Sequence, residues 1–179
     1  FEPSVWPAAG ARFLGLDVGT ETIKLVELRQ VADGLRCDCR RLMEHDQRPL
    51  AALRAMLEPL DWPGVTAASV TGRFSRQVRL PRIPDKAALS TGLARICGDQ
   101  PATLVTIGSR GFSVLERRFG GHEVHRTNSR CSQGTGSFLR QLVQRFGLTV
   151  EEASVLAEGV SDPAPLSGRC PVILKTDMT

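Results

Sequence analysis

Two cysteines in turns of small residues are the side chains best suited to hold a metal centre. Cys131 lies in the stretch Asn128 to Gly136, just ahead of the amphipathic segment Ser137 to Gly147, and Cys170 lies in Ser167 to Pro171. The apolar spacing after Cys131 predicts a helix, whose free N-terminal amides and dipole favour a thiolate ligand. Two cysteines cannot close a four-coordinate iron–sulfur or zinc site. If both are ligands, the other two must come from elsewhere, most simply from a second copy of the same lobe.

A second candidate site is the glycine-containing turn of residues 15–20, which joins two predicted strands. Asp17 at a strand end can hold a hydrated Mg²⁺, while the amides around Gly19 and Thr20 meet a phosphate. The turn matches neither a Walker motif nor a Rossmann fingerprint, because a strand follows it. Lys24 is either a phosphate partner or a surface lysine, and a hairpin turn with a solvated aspartate is the alternative interpretation of the whole motif. Residues 71–73 either present backbone amides to a ligand or form a plain loop.

The remaining cysteines and the histidines fit structural roles better than metal binding. Cys37 and Cys39 on a strand and Cys97 in a helix are interpreted as small buried hydrophobic residues. The histidines have no zinc-like spacing to the cysteines, so we interpret all three as incidental: His45, His122 and His125.

Composition limits the class of protein. The 179 residues suffice for a single compact domain or a small domain with two halves, and the net charge of +4 is spread over scattered basic residues with no tyrosine. No nucleic-acid surface is indicated, no apolar run reaches the roughly 20 residues of a membrane span, and no signal peptide is visible. Five cysteines, an odd number, favour a reducing compartment, here the cytoplasm. Because the chain opens with Phe1 instead of methionine, we expect it to have been trimmed or to belong to a longer protein.

Periodicity predicts a mixed α/β lobe. Residues 1–11 are interpreted as a linker or tail, and residues 12–179 as the folded lobe. The predicted order is three strands in a meander, a helix, a strand and a helix, then three more strands and two helices. Strands are predicted at 12–17, 23–28, 35–43, 66–71, 104–108, 112–118 and 123–128, and helices at 49–60, from 84 through 96, at 136–146 and at 150–158. No internal sequence repeat is convincing.

Four segments in this order, residues 15–28, 70–89, 128–157 and 167–178, resemble the activator ATPases of 2-hydroxyacyl-CoA dehydratases and benzoyl-CoA reductases. The resemblance extends over nearly the whole chain from Arg12 onward. The pair of cysteine motifs is specific, whereas the first glycine motif is common to actin-like and sugar-kinase ATPases. The sequence of residues 71–89 is most like that of long members of the family, in which two activator modules lie in tandem.

The resemblance implies an actin-like, ribonuclease-H-like fold and a homodimer bridged by one 4Fe–4S cluster. Each protomer would supply two ligands, here Cys131 and Cys170, so the missing pair comes from a two-fold mate or a tandem copy. ATP hydrolysis would rearrange the dimer and pass a low-potential electron to a partner dehydratase or reductase. ATP and Mg²⁺ would be bound by Asp17, Gly19, Thr20 and Lys24, together with Gly108 in the second phosphate-binding hairpin.

The chain departs from the family in that second hairpin. Where the family has an acidic, glycine-rich turn, residues 106–111 contain neither the two acids nor the glutamine that hold Mg²⁺ or orient water. Arg110 remains as a cation for a phosphate. The sequence also stops at Thr179, where the family continues into a second, adenosine-gripping lobe, so we expect a fragment or a further lobe.

Three functional hypotheses follow. The first is a cluster-bearing, ATP-dependent activator that delivers electrons to a CoA-thioester dehydratase or reductase. The second is a degenerate, non-hydrolysing actin-like module with a regulatory or scaffolding role, which the altered turn after Thr106 favours and the two cysteines oppose. A sugar or acetate-type kinase fits the first motif but gives no reason for the cysteines, and it ranks last.

Overall fold

A computed structural model of the chain describes residues 9–128 and 135–165. The elements are β1 (Arg12–Val18), β2 (Thr22–Val31), β3 (Gly34–Glu44), α1 (Pro49–Leu57), β4 (Ala67–Thr71), α2 (Asp85–Cys97), β5 (Ala102–Ile107), β6 (Phe112–Arg117), β7 (Glu123–Asn128), α3 (Gly136–Arg145) and α4 (Val150–Glu158). The predicted order of strands and helices is confirmed. Within the described ranges no helix combines the length and apolar character needed to cross a membrane.

The chain divides into two compact units, Phe1–Gly92 and Leu93–Thr179, with the boundary inside α2. In the first unit, β1, β2 and β3 form the predicted antiparallel meander, and β4 adds to the free side of β1 in parallel. The sheet order is β3-β2-β1-β4. The division of the chain into a tail of residues 1–11 and a lobe of residues 12–179 stays a prediction.

The core of the first unit lies on one face of this sheet. Alternate residues of β1 and β2 point to that face, as the two-residue period of a strand requires, and α1 covers them. The cluster consists of Leu14, Leu16, Val18, Ile23, Leu25, Ala52, Leu53, Met56 and Val70. The same alternation sends Asp17 to the opposite face of the sheet, away from the hydrophobic core.

The second unit contains the sheet β5-β6-β7, an antiparallel meander like that of the first unit. Leu115 at its centre is fully buried. Helix α3 buries Phe138 and Leu142, which are one turn apart on the same face. The mixed sheet of the first unit, the meander of the second and their helices confirm the predicted α/β class.

Several apolar residues of the helices are exposed. Leu50 and Ile96 are 63% and 84% exposed, because the buried faces of their helices centre on Met56 and Leu93 instead. Leu139 and Phe146 of the predicted apolar face of α3 are also exposed.

The cysteines of β3 are also less buried than predicted. Cys37 is exposed and Cys39 is only half-buried. The ladder between β2 and β3 shifts register where these cysteines face Leu28 and Glu27, so Asp38 is an extra residue there. A bulge of this kind interrupts the alternation on which the prediction rested.

Helix α4 begins with a capping box that makes its first turn sensitive to acid. The Thr149 amide donates to Glu152 Oε2 at 2.8 Å, and the Glu152 amide donates to Thr149 Oγ1 at 3.1 Å. The hydrogen bond from the Thr149 backbone, aided by the Thr149 hydroxyl, lowers the pKa of Glu152. This stabilisation is present above the pKa of an unfolded glutamate and is lost as pH falls through the lowered folded value.

We therefore expect the amides of the first turn of α4 to lose hydrogen-exchange protection on acidification below about pH 4. Glu152→Gln keeps a capping side chain without the titration, so its protection should be independent of pH in this range. Glu151→Gln, a change in the same turn, should leave the acid sensitivity in place. Equal acid sensitivity of the unaltered chain and Glu152→Gln would contradict the assignment.

Candidate functional site

A row of polar side chains crosses three strands at the end of β1. Asp17 pairs with Lys24 of β2 on one side and with Thr71 of β4 on the other. Lys24 Nζ lies 2.9 Å from Asp17 Oδ2, and the two side chains are 50% and 36% exposed. An ion pair this open to water contributes only about 0.2–1 kcal/mol to stability. The pair is of more interest for binding, because the Lys24 ammonium group can contact a phosphate and the adjacent Asp17 carboxylate can hold hydrated Mg²⁺.

The turn after β4 closes against this row. Thr71 Oγ1 donates to Asp85 Oδ1 at 2.5 Å, and the Gly72 amide donates to the same oxygen at 3.1 Å. Gly72 has a φ of +94°, and a Cβ there would lie 2.6 Å from the Val18 carbonyl oxygen and closer still to Asp17 Oδ1. The absence of a side chain at residue 72 thus lets this turn approach the Asp17 carboxylate.

The turn between β1 and β2 has its carbonyl groups held from inside the protein. His45 Nε2 lies 3.3 Å from the Gly19 carbonyl oxygen, and the His45 amide donates to the Glu21 carbonyl at 3.0 Å. The Gly19 amide donates across the turn to the Thr22 carbonyl at 2.9 Å. Within residues 9–128 and 135–165 the Thr20 amide donates no hydrogen bond. Amides that point outward from such a turn are suitable for binding an anion.

The second predicted phosphate turn, after β5, lies in the second unit. The Gly108 amide donates to the Gly111 carbonyl at 2.8 Å. The first amides of α3 clamp the same turn, because Gly136 donates to the Gly108 carbonyl at 2.8 Å and Ser137 donates to the Ser109 carbonyl at 3.1 Å. The role of Gly108 in phosphate binding stays a prediction.

The clamp corrects one expectation about α3. Sequence spacing predicted free amides at this helix start, available to an anion beside Cys131. Instead Thr135 is the N-cap and accepts from the Phe138 amide at 3.4 Å, while the Gly136 and Ser137 amides are engaged by the β5–β6 turn. The first amides of α3 therefore donate hydrogen bonds to the turn after β5.

The predicted metal ligands Cys131 and Cys170 lie outside the described residues. The described cysteines are Cys37, Cys39 and Cys97, all as free thiols. Among residues 9–128 and 135–165 no group of three or more His, Cys, Asp or Glu side chains is arranged to hold a metal ion. The iron–sulfur site thus rests on sequence alone.

Sequence reasoning brought together Asp17, Gly19, Thr20 and Lys24, and the structure places all four at one end of the first sheet. It missed the supporting contacts made by His45 and Asp85. An acid at the first position of a helix after Pro84 was a usable signal for Asp85. For His45 no local signal existed, because its contact depends on a turn 26 residues away.

Comparison with known proteins gives a consistent result. No family model matches the chain. It is 25% identical over 170 residues to the activator of lactoyl-CoA dehydratase of Anaerotignum propionicum, covering 92% of this chain and 65% of the relative. It is 24% identical over 172 residues to the D component of the benzoyl-CoA reductase of Thauera aromatica, covering 92% and 61%.

Solved structures of the same kind are similar to it. Component A of the (R)-2-hydroxyglutaryl-CoA dehydratase of Acidaminococcus fermentans has a TM-score of 0.79 at 19% identity, with 94% of this chain and 66% of that chain covered. The activator of the 2-hydroxyisocaproyl-CoA dehydratase of Clostridium difficile, with bound ADPNP, has a TM-score of 0.74 at 21% identity, covering 93% and 63%. These comparisons confirm the predicted actin-like fold.

Proposed function

We propose that this chain, a relative of the activators of 2-hydroxyacyl-CoA dehydratases and benzoyl-CoA reductases, is the first lobe of an activator-type ATPase module. Its span is 65% and 61% of the lengths of the two curated relatives. The proposed role is to couple a bound nucleotide to the delivery of low-potential electrons to a CoA-thioester dehydratase or reductase in the cytoplasm. The observation that carries the proposal is similarity along 92% of the chain to two such proteins, together with the polar row at Asp17.

The residues around Asp17 fit a magnesium nucleotide. Lys24 supplies a half-exposed ammonium group, the Thr20 amide supplies an outward donor, and Asp17 supplies a carboxylate. Binding would exchange the ion pair between Lys24 and Asp17 for contacts to phosphate and hydrated Mg²⁺. The activator of Clostridium difficile was solved with ADPNP, which supports assigning a nucleotide to this site. In the second unit, Gly108 and the exposed Arg110 are proposed as phosphate contacts.

The proposed electron carrier is a 4Fe–4S cluster held by Cys131 and Cys170 and completed by the same pair from a second module. That module would be a homodimer mate or a tandem copy, since each lobe offers two ligands in this family pattern. The cluster supplies one-electron chemistry at low potential. Gly136, whose amide donates to the β5–β6 turn, lies five residues beyond Cys131, so the start of α3 is close in sequence to this ligand.

A second candidate is a non-hydrolysing actin-like module with a regulatory or scaffolding role. It is favoured by the turn of residues 108–111, which contains no acidic residue. An acid is expected there to hold Mg²⁺ or to orient the attacking water. In that case the chain would bind a partner without an ATP-dependent change.

Anaerobic iron–sulfide reconstitution of the full chain tests the proposal. We expect about two irons per chain, the share of one four-iron cluster between two modules, and loss of iron in Cys131→Ala and in Cys170→Ala. Cys97→Ala, a change at a half-buried thiol in α2, should retain the iron and serves as the control. The measurements are iron and sulfide content and the visible absorption of the cluster.

No stable iron in the unaltered chain, or equal iron in all variants, would overturn the electron-transfer proposal. Iron binding with no response to MgATP in the cluster spectrum would support the cluster while favouring the non-hydrolysing module. A nucleotide titration on the same reconstituted sample therefore separates the two candidates.

A further inference from the structure

We propose that His45 is a positioning residue for the phosphate site, because its side chain sets the orientation of the Gly19–Thr20 peptide. The inference rests on the proposed function, since it assigns a task within the same nucleotide site. It concerns a side chain that the sequence pattern marked as incidental. Its basis is the Gly19–Thr20 peptide, whose carbonyl oxygen contacts the buried histidine and whose amide belongs to the phosphate turn.

His45 is 3% exposed, and both its backbone and its ring are held by neighbouring residues. Its backbone amide donates to the Glu21 carbonyl at 3.0 Å, and its ring meets the Phe74 ring edge to face, with centroids 6.1 Å apart. The Phe74 amide in turn donates to the Val18 carbonyl at 2.9 Å. The imidazole thus has little freedom behind the turn.

The chemistry of the contact fixes the tautomer. The partner of Nε2 is the Gly19 carbonyl oxygen at 3.3 Å, which only accepts, so Nε2 carries the proton. Nδ1 is buried with no hydrogen-bond partner in the described chain. The hydrogen-bond donor that faces the turn is therefore the Nε2–H group.

The consequence for phosphate follows from the geometry of a trans peptide. The carbonyl of Gly19 and the amide of Thr20 belong to one planar unit and point in opposite directions. Holding the carbonyl inward therefore turns the Thr20 amide outward, where it has no partner in the described chain. Without His45 the same peptide could flip and present a carbonyl oxygen, which repels phosphate.

The turn after β5 uses the same arrangement with different donors. There the Gly136 and Ser137 amides hold the carbonyls of Gly108 and Ser109, so the amides of Ser109 and Arg110 are directed away from the clamp. These donors are backbone amides, which only a substitution by proline would remove. In the first unit, by contrast, the donor is a side chain and can be tested directly.

The test is MgATP binding by calorimetry on the full chain, compared among three variants. His45→Leu removes the donor, and we expect roughly tenfold weaker binding, as for loss of one hydrogen bond to a charged group. His45→Gln keeps a side-chain N–H at a similar reach and should restore binding to near that of the unaltered chain. Met56→Ala, a change in the hydrophobic core of the first unit that leaves His45 and the turn residues in place, should lower stability without changing the affinity.

A second measurement reports on the turn itself. The amide resonance of Thr20 should shift on adding MgATP in the unaltered chain and in His45→Gln, and should shift much less in His45→Leu. Nitrogen spectra of the ring should show the proton on Nε2.

The outcomes separate the two proposals. Equal MgATP affinity of the unaltered chain and His45→Leu would overturn the role of His45 and leave the nucleotide site intact. Weaker binding in both His45→Leu and His45→Gln would also overturn it, because the donor would not be the cause. No MgATP binding by the unaltered chain would overturn the proposed nucleotide function, and the role of His45 with it.

Discussion

Gly72→Ala is expected to destabilise the first unit by roughly 2–4 kcal/mol and to weaken binding of MgATP. The backbone at this residue has a φ of +94°, a region in which a side chain is strained. The new Cβ would lie 2.6 Å from the Val18 carbonyl oxygen, which is backbone of a fully buried residue and cannot move away cheaply. It would also collide with the Asp17 carboxylate, which must then leave its position beside Lys24.

The measurement is the midpoint and slope of urea unfolding, followed by MgATP affinity at a temperature where the variant remains folded. Gly92→Ala is the matched control, since Gly92 lies within α2 and a Cβ there meets nothing within 4 Å. That substitution should instead stabilise the chain by about 0.5–1 kcal/mol, the usual gain for alanine over glycine in a helix. An unchanged unfolding midpoint in Gly72→Ala would mean that the turn after β4 does not closely approach Asp17.

The fold was largely predictable because its elements are set by local patterns. Three kinds of local pattern each determine an element without help from distant residues: strand alternation, an Asp-Gly pair such as Asp33–Gly34, which favours a hairpin, and a threonine such as Thr149, which favours a helix N-cap. The structure confirms each of these, with Val31 paired to Gly34 and the capping box at α4.

Burial was harder to predict, because it depends on which helix face meets the sheet. Leu50 belongs to the apolar stripe of α1 by spacing, yet the sheet contacts the face centred on Met56. The bulge at Asp38 likewise moves Cys37 into solvent, although alternation alone would bury it.

The residues of the candidate site were predictable from the sequence, but the residues that support them were not. Asp17, Gly19 and Lys24 lie within eight residues, so a motif can identify them. His45 contacts Gly19, and Asp85 holds the turn of Thr71 and Gly72 that approaches Asp17, so both supporting contacts come from residues distant in sequence. The same is true of the repeated meander in the two units, which is visible in strand order but not in the sequence.

Glu123→Ala is expected to lower the stability of the second unit by about 3 kcal/mol, because it breaks a buried ion pair by removing the carboxylate that accepts two hydrogen bonds from Arg117. Arg117 is 7% exposed and Glu123 is 14% exposed in their side chains. Arg117 Nε and Nη2 donate to Glu123 Oε1 at 2.9 and 2.7 Å, and Nη1 donates to the Gly98 carbonyl at 2.8 Å. The pair thus ties the β6–β7 hairpin to the end of α2.

A double-mutant cycle of Glu123→Ala, Arg117→Met and the two changes together measures the coupling within this pair. The double variant should lose less stability than the sum of the two single variants, because either single change already removes the interaction. On the outer face of the same strand, Arg118 hydrogen bonds to Glu116 and lowers its pKa. This pair is open to solvent, so Glu116→Ala should leave the unfolding midpoint nearly unchanged. Equal losses in Glu116→Ala and Glu123→Ala would show that burial does not decide the strength of these pairs.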